Sequence, residues 1–307
     1  MNKKILNKHG AVTTDLARSV MALNKGDRLP TIIELTERFS VSRGIVQNAI
    51  SFLEEAGCFT LSRSGKLGTL LDTLDYRQLY EFTGWDPIVG AMPVPFNDSF
   101  RSLASALFSE SRRFPVDSSV IYVSGASNRQ TMLEKDFLDY IVTSVAAARH
   151  IIAASDQIEL LFELPDCRYE EPYCLIFLDN EKTAIEDGMR VGVDPEGIDQ
   201  TELTKALCRG KNVELVPMPF ENTVEMLHSR SVDCSVIRRE KWLRENLNLI
   251  PRPIPPTDYP EQDTTVPAIL VNRSNYGIKE FLQKYLSPEN IAKAQTAACA
   301  IHSQYTF

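Results

Sequence analysis

No apolar run in this chain approaches the ~18 residues that a membrane-spanning helix requires. The best candidate, SVAAARHIIAA from Ser144 to Ala154, is interrupted by Arg149 and His150, so no membrane partner is expected. Cysteine is sparse and scattered. Cys58, Cys167, Cys174, Cys208, Cys234 and Cys299 form no Cys-x-x-Cys pair. The opening MNKKILNKHGAVTTD has lysines but no apolar stretch and no small-residue cleavage site, so it does not read as a signal peptide. A cytoplasmic protein with buried free thiols is therefore expected, rather than a disulfide framework. His9, His150, His228 and His302 share no metal-ligand spacing with the cysteines, and no metal is expected. Catalytic signatures are missing as well. There is no G-x-S-x-G and no H-E-x-x-H. SRSGKLG fails as a phosphate loop, because its first glycine is misplaced and Leu67 stands where a magnesium-binding Ser or Thr belongs. No catalytic residue and no cofactor are expected.

What is present is an ordinary globular composition, 43% hydrophobic and 24% charged over 307 residues, enough for about two domains. The charge is unevenly placed. Residues 1–70 carry 10 Lys and Arg against 6 Asp and Glu, whereas the remainder carry 23 against 35. A small basic part beside a large acidic one implies separate partners, with only the first suited to a polyanion.

The basic part reads as three short helices and a hairpin. Thr13 and Thr14 are placed to cap a first helix with Leu16, Val20 and Leu23 inside, and Gly26 lies beyond its end. In RLPTIIELTERFSVSRG, Pro30 disfavours helix before it. Thr31 with Glu34 three residues on spells a capping box. Ser42 is placed to cap the next helix, VSRGIVQNAISFLEEA, and Gly57 to stop it. Val46, Ala49, Ile50 and Leu53 give that helix one apolar stripe. Arg43, Gly44, Gln47, Asn48 and Ser51 fall on the other side, short or planar hydrogen-bonding groups in place of Glu and Lys. Two short helices joined by a tight turn form a helix-turn-helix, which sets the second in the DNA major groove. CFTLSRSGKLGTLL then alternates as two strands around Arg63, Ser64, Gly65 and Lys66, a basic hairpin able to reach phosphates.

GDRLPTIIELTERFSVSRGIVQNAISFLEEAG followed by SRSGKLGTLL resembles the winged-helix domain of GntR-type bacterial regulators. The matching residues include Gly26, Leu29, Pro30, Glu34, Leu35, Val41, Ser42, Arg43, Val46, Ala49, Leu53, Glu54 and Gly57, with Gly65 and Gly68 in the wing. The resemblance covers about the first quarter of the chain and implies a double-stranded DNA operator as partner. Thr31, Ser42, Arg43, Gly44, Gln47, Asn48, Arg63, Ser64 and Lys66 are the expected DNA-binding residues. The chain departs from the family's common pattern at Ile32-Ile33 and at Ile45-Val46-Gln47, where two DNA-contacting arginines of other members are absent.

From Ile88 onward strands and helices alternate: IVGAMPVPF, SVIYVSG, DYIVTS, YCLIFLD, MRVGVD, VELVPM, VDCSVI and VPAILV are strand-like, with helical stretches between them. This β-α-β rhythm predicts parallel sheets covered by helices on both faces. Two such series followed by a returning strand and terminal helices resemble the two-lobed type-2 periplasmic-binding-protein fold. With the head included, the layout is similar to the YhfZ group of regulators, in which an opening much like VGAMPVPFNDSFRSLASAL follows the winged helix. The expected fold class is α/β: a winged helix-turn-helix over 1–72, a connecting helix or linker over 73–86, and a two-lobed ligand-binding domain over 87–307. Lobe one spans about 87–175 and 264–307, and lobe two about 176–263.

In such sheets ligands sit beyond the C-terminal strand ends, where helix N-termini expose free N–H groups. The candidate effector-binding residues are Asn97, Asp98, Ser99, Ser124, Gly125, Ser127, Arg129 and Ser144 in lobe one, with Asp194, Asp199 and Asn222 in lobe two. Each is also an ordinary helix-capping type, Gly125 and Arg129 excepted. Donors beside aspartates favour a small zwitterion such as an amino acid over a phosphate, with Arg129 supplementing the anion site. The reading is thus a homodimeric, ligand-responsive transcription regulator and not an enzyme. A DNA-binding protein whose C-terminal domain only dimerises, or an enzyme acting on a small metabolite, remain the alternatives.

Overall fold

The computed structural model describes residues 8–65, 68–95, 97–169, 171–239 and 248–305. Its first elements are α1 (Lys8–Met21), α2 (Ile32–Phe39), α3 (Arg43–Glu55) and the antiparallel pair β1 (Phe59–Ser64) and β2 (Gly68–Leu74). The capping box at α2 is formed: Thr31 Oγ1 accepts from Glu34 N at 3.2 Å, and Glu34 Oε2 accepts from Thr31 N at 2.6 Å. Ser40 ends α2 in the left-handed region, and Gly57 (φ 79°) follows the Ala56 cap of α3 with its N–H on Glu54 O. Leu16, Val20, Leu35, Val46, Leu53 and Leu71 bury the apolar stripes of these elements. Two expected caps differ. Thr13 and Thr14 lie within α1, where Thr13 Oγ1 donates to His9 O one turn back, because the helix starts upstream of them. Ser42 does occupy the N-cap position of α3, but its side chain makes no capping bond.

After α4 (Tyr76–Glu81) the chain enters lobe one through β3 (Ile88–Met92), α5 (Asp98–Ser111), β4 (Ser118–Tyr122), α6 (Ala126–Glu134), β5 (Tyr140–Ser144), α7 (Val145–Ala154) and β6 (Ile158–Glu163). It crosses to lobe two, formed by β7 (Tyr173–Phe177), β8 (Arg190–Val193), α8 (Ile198–Cys208), β9 (Glu214–Pro217), α9 (Thr223–His228), β10 (Cys234–Arg238) and β11 (Arg252–Pro253). It returns as β12 (Pro267–Asn272) and ends with α10 (Ile278–Tyr285) and α11 (Pro288–Tyr305). The sheet orders are β4-β3-β5-β12-β6 and β11-β7-β10-β8-β9. The sheets are mixed, correcting the parallel expectation. β3 runs parallel to β5, and β8 to both neighbours, but β12, β7 and β11 pair antiparallel. Strand-helix alternation carries no information on direction once a chain leaves one sheet and re-enters the other.

Period-two alternation fills both faces of the second sheet. Tyr173, Leu175 and Phe177 join Val191, Leu203, Leu207, Cys234 and Val236 on one side. Cys174 and Ile176 join Met218, Leu227, Val232 and Ile237 on the other. Burial pushes the Cys174 and Cys234 thiols up to about 12.

The chain forms two compact units. One comprises residues up to Val89 together with Glu110–Ser119 and Arg273–Ser287, and the other comprises Gly90–Ser109, Val120–Asn272 and the residues from Pro288 onward, which hold lobe two, most of lobe one and α11. The unit that contains the winged helix is thus completed by segments distant in sequence. Arg18 Nε donates to Thr83 O at 2.7 Å, and Phe281 of α10 packs edge-on against Trp85 and Phe114. Lys284 Nζ donates to Tyr76 OH at 2.7 Å and to Leu23 O, beneath the Tyr76 and Tyr285 rings. Burial depresses the Lys284 ammonium to about 8, with Asp27 opposing.

Candidate functional site

On the head, α3 turns one face inward and leaves Arg43, Gly44, Gln47, Asn48 and Ser51 exposed. Their spacing of three to four residues sets them along one side of the helix. Thr31 is exposed, but its hydroxyl is committed to the capping box. Arg63 is exposed on β1 and Ser64 is partly buried, and Lys66 lies outside the described residues.

The second site lies between the lobes. A cavity of about 100 Å³ is lined by Ser124, Gly125, Arg129, Thr143 and Tyr169 from one side and by Tyr173, Asp194, Asp199, Gln200, Phe220, Glu221 and Arg238 from the other. That is small beside the ~300–1,000 Å³ of typical ligand pockets. Among the described residues, several hydrogen bonds at the cleft join the two lobes. Ser124 Oγ donates to Glu221 Oε1 at 2.5 Å, Ser127 N to Glu196 O at 3.2 Å, and Ser144 Oγ to Asp199 Oδ2 at 2.7 Å. Gly125 permits this approach: it has φ 79°, and a Cβ there would lie 2.7 Å from Glu196 Cβ.

Asp199 is the most enclosed acid of the site, 7% exposed. Beyond Ser144 it accepts from Tyr259 OH at 2.8 Å, and it lies 3.3 Å from Arg238 Nη2. Arg238 also donates to Glu171 O and Thr264 Oγ1, and stacks 3.6 Å above the Tyr173 ring. Burial raises the Asp199 carboxyl above the ordinary aspartate range, opposed by Arg238, Ser144 and Tyr259. Asp194 is raised as well, first by burial, while the Glu196 N–H lowers it and the Glu221 charge adds to the rise. Gln200 fixes the turn beneath: its Oε1 accepts from Asp194 N, and its Nε2 donates to Gly192 O and Val236 O.

The expected effector residues separate into two sets. Ser124, Gly125, Arg129, Asp194 and Asp199 lie on the cavity wall, and Ser144 bonds Asp199 behind it. Asn97, Asp98, Ser99 and Asn222 do not line it. Asn97 Oδ1 caps α5 through Phe100 N, Asp98 pairs with Arg101, and Ser99 O accepts from Gln295. Ser127 contributes its backbone N–H to lobe contact, on a helix that starts one residue earlier than its side chain implied.

Comparison with known proteins bears on both sites. The model of the YhfZ C-terminal domain matches residues 75–303, and that of a helix-turn-helix domain matches residues 24–71. The chain belongs to the YhfZ family. The uncharacterized protein YhfZ of Escherichia coli (strain K12) is 28% identical over 236 residues, spanning 77% of this chain and 76% of its own length. The crystal structure of YhfZ from Shigella flexneri aligns with a TM-score of 0.60 at 20% identity, covering 74% of this chain and 96% of that one. The periplasmic aliphatic sulphonate binding protein SsuA from Escherichia coli aligns with a TM-score of 0.52 at 14% identity, covering 71% and 75% of the two chains. The last likeness establishes the two-lobed architecture of the YhfZ domain and nothing of its ligand. The cleft of this chain also holds residues that were not among the expected effector contacts: Arg238, Tyr169, Tyr173 and Gln200 line it, and Tyr259 bonds Asp199. Arg238 carried one usable signal, the lone charged residue at the C-terminal end of a buried strand.

Proposed function

We propose that this YhfZ-family chain is a ligand-responsive transcription regulator that binds a near-palindromic operator as a dimer and senses a small metabolite in the interlobe cleft. The observation that carries the DNA part is the exposed row Arg43, Gln47 and Asn48 on α3, which follows a capped α2 across a tight turn and precedes a hairpin bearing Arg63. A helix presented in this way enters the major groove, where an arginine reads guanine and Gln or Asn reads adenine. Selection of binding sequences from random duplexes tests the reading, with sedimentation of the complex to count protomers.

The effector part rests on a cleft that gathers opposite charges within a small space. Asp194 and Glu221 suit an ammonium group and Arg129 a carboxylate, which together fit a compact amino acid or amino-bearing acid. Such a ligand at a hundredfold excess over Kd stabilises the protein by about 2.7 kcal/mol. A thermal-shift panel of amino acids, amines and carboxylates distinguishes this class from the others. Asp194→Ala should abolish the shift while leaving ligand-free DNA binding unchanged. The rival reading, a C-terminal domain that only dimerises, is favoured by the small size of the cavity. A panel without any saturable shift would support it.

A further inference from the structure

We infer that Asp199 is a resident anion which closes the cleft from within, its carboxylate held by donors of both lobes. Two-lobed binding domains close around their ligands by hinge motion, and here side chains of the two lobes bond each other directly. Asp199 is the second residue of α8 in lobe two, yet its carboxylate lies on the hydroxyl of Ser144, the N-cap of α7 in lobe one. Ser144 keeps its capping role, since its Oγ accepts from Ala147 N at 3.0 Å while donating to Asp199. The carboxylate thus faces the positive end of a ten-residue helix, the position that attracts a bound anion.

Behind it, lobe two supplies what an anion site requires: the Arg238 guanidinium and the Tyr259 hydroxyl, both directed at the same carboxylate. Ser144, Asp199 and Arg238 are 0%, 7% and 4% exposed, so this link is buried, whereas the Ser124–Glu221 bond is exposed. A carboxylate withdrawn from water and held by donors of both lobes resists their separation, because opening would break its bond to Ser144 without replacing Arg238. The closed state is then the ground state of the domain. This inference concerns closure alone, and stands whether or not the cleft takes an effector.

The experiment uses the full chain in two variants. In Asp199→Asn the shape is kept and the charge removed. Exchange of the Ser127 amide, which bonds Glu196 across the lobes, should then quicken at least tenfold, while amides within the β10–β8 ladder stay as in the parent. In Asp199→Ala the site is vacated. Sodium acetate should then raise the melting temperature saturably, and sodium chloride of equal ionic strength should not. The parent should show no saturable response to acetate. Unchanged Ser127 exchange in Asp199→Asn would overturn the inference, as would equal acetate responses in parent and Asp199→Ala. Should Asp199→Ala not fold, the Ser127 measurement decides alone. Neither readout involves DNA or an effector, so failure here is distinct from failure of the regulatory reading.

Discussion

Replacing Arg238 by Met keeps most of the side-chain volume and removes the charge that faces Asp199. The guanidinium is 4% exposed, 3.3 Å from the carboxylate and 3.6 Å above the Tyr173 ring. Removing one member of a buried pair leaves the other uncompensated and costs about 3–5 kcal/mol. A lost cation–π contact adds up to about 2 kcal/mol when desolvated. For a unit of this size about 2–4 °C of melting temperature is lost per kcal/mol, so a fall of at least ~6 °C is expected in the calorimetric transition of the two-lobed unit. The pH dependence separates charge from packing. Asp199 is already raised by burial, and losing Arg238, the chief influence opposing that rise, raises it further. Between the unfolded value of about 3.9 and the raised folded value, the native state then binds more protons than the unfolded chain. Stability of the variant relative to the parent should therefore recover as pH falls through that window. A loss under ~1 kcal/mol, or one that does not shrink as pH falls toward the unfolded value, would refute the reasoning.

Two further predictions concern the rest of the chain. Lys284 sits at about 8 in the folded protein against 10.5 unperturbed. Between these values the unfolded chain binds the extra proton, so the unit containing the winged helix should gain stability from pH 8 to 9.5. Lys284→Met should abolish that gain, and comparing melting temperatures at the two pH values checks it. Gly125→Ala places a Cβ 2.7 Å from Glu196 Cβ at φ 79°, with backbone strain of about 1–3 kcal/mol. The lobes should spread, and X-ray scattering should show a larger radius of gyration than the parent at equal concentration.

Local chemistry was legible where one residue type dictates one geometry. Thr31 and Glu34 spelled the capping box, Gly57 the end of α3, and the apolar stripe of Val46, Ala49 and Leu53 its buried face. The winged-helix and two-lobed architectures followed from those signals together with the strand-helix rhythm. Direction and partnership were not legible. β6 and β11 went unnoticed, and β12 pairs antiparallel with both neighbours because it re-enters from the other lobe. The polar residues at helix starts divided for the same reason. Asn97 and Asp199 both sit at helix N-termini, and only the opposite lobe distinguishes a cap from a cleft residue. Arg238 and Tyr259 converge on Asp199 from segments 39 and 60 residues away along the chain, a separation no local pattern records.

The central claim is that α3 reads DNA sequence, and the most direct measurement is selection from a random duplex pool by the parent and by Arg43→Ala, with affinities followed across salt concentration. The parent should enrich a near-palindrome whose half-sites lie about one helical turn, or a multiple, apart. Arg43→Ala should lose ~1–3 kcal/mol on that sequence through relaxed base preference, whereas Arg63→Ala should weaken all duplexes alike and flatten the salt slope. A pool that enriches nothing with the parent, or an Arg43→Ala protein that selects the same sequence with the same affinity, would contradict the account.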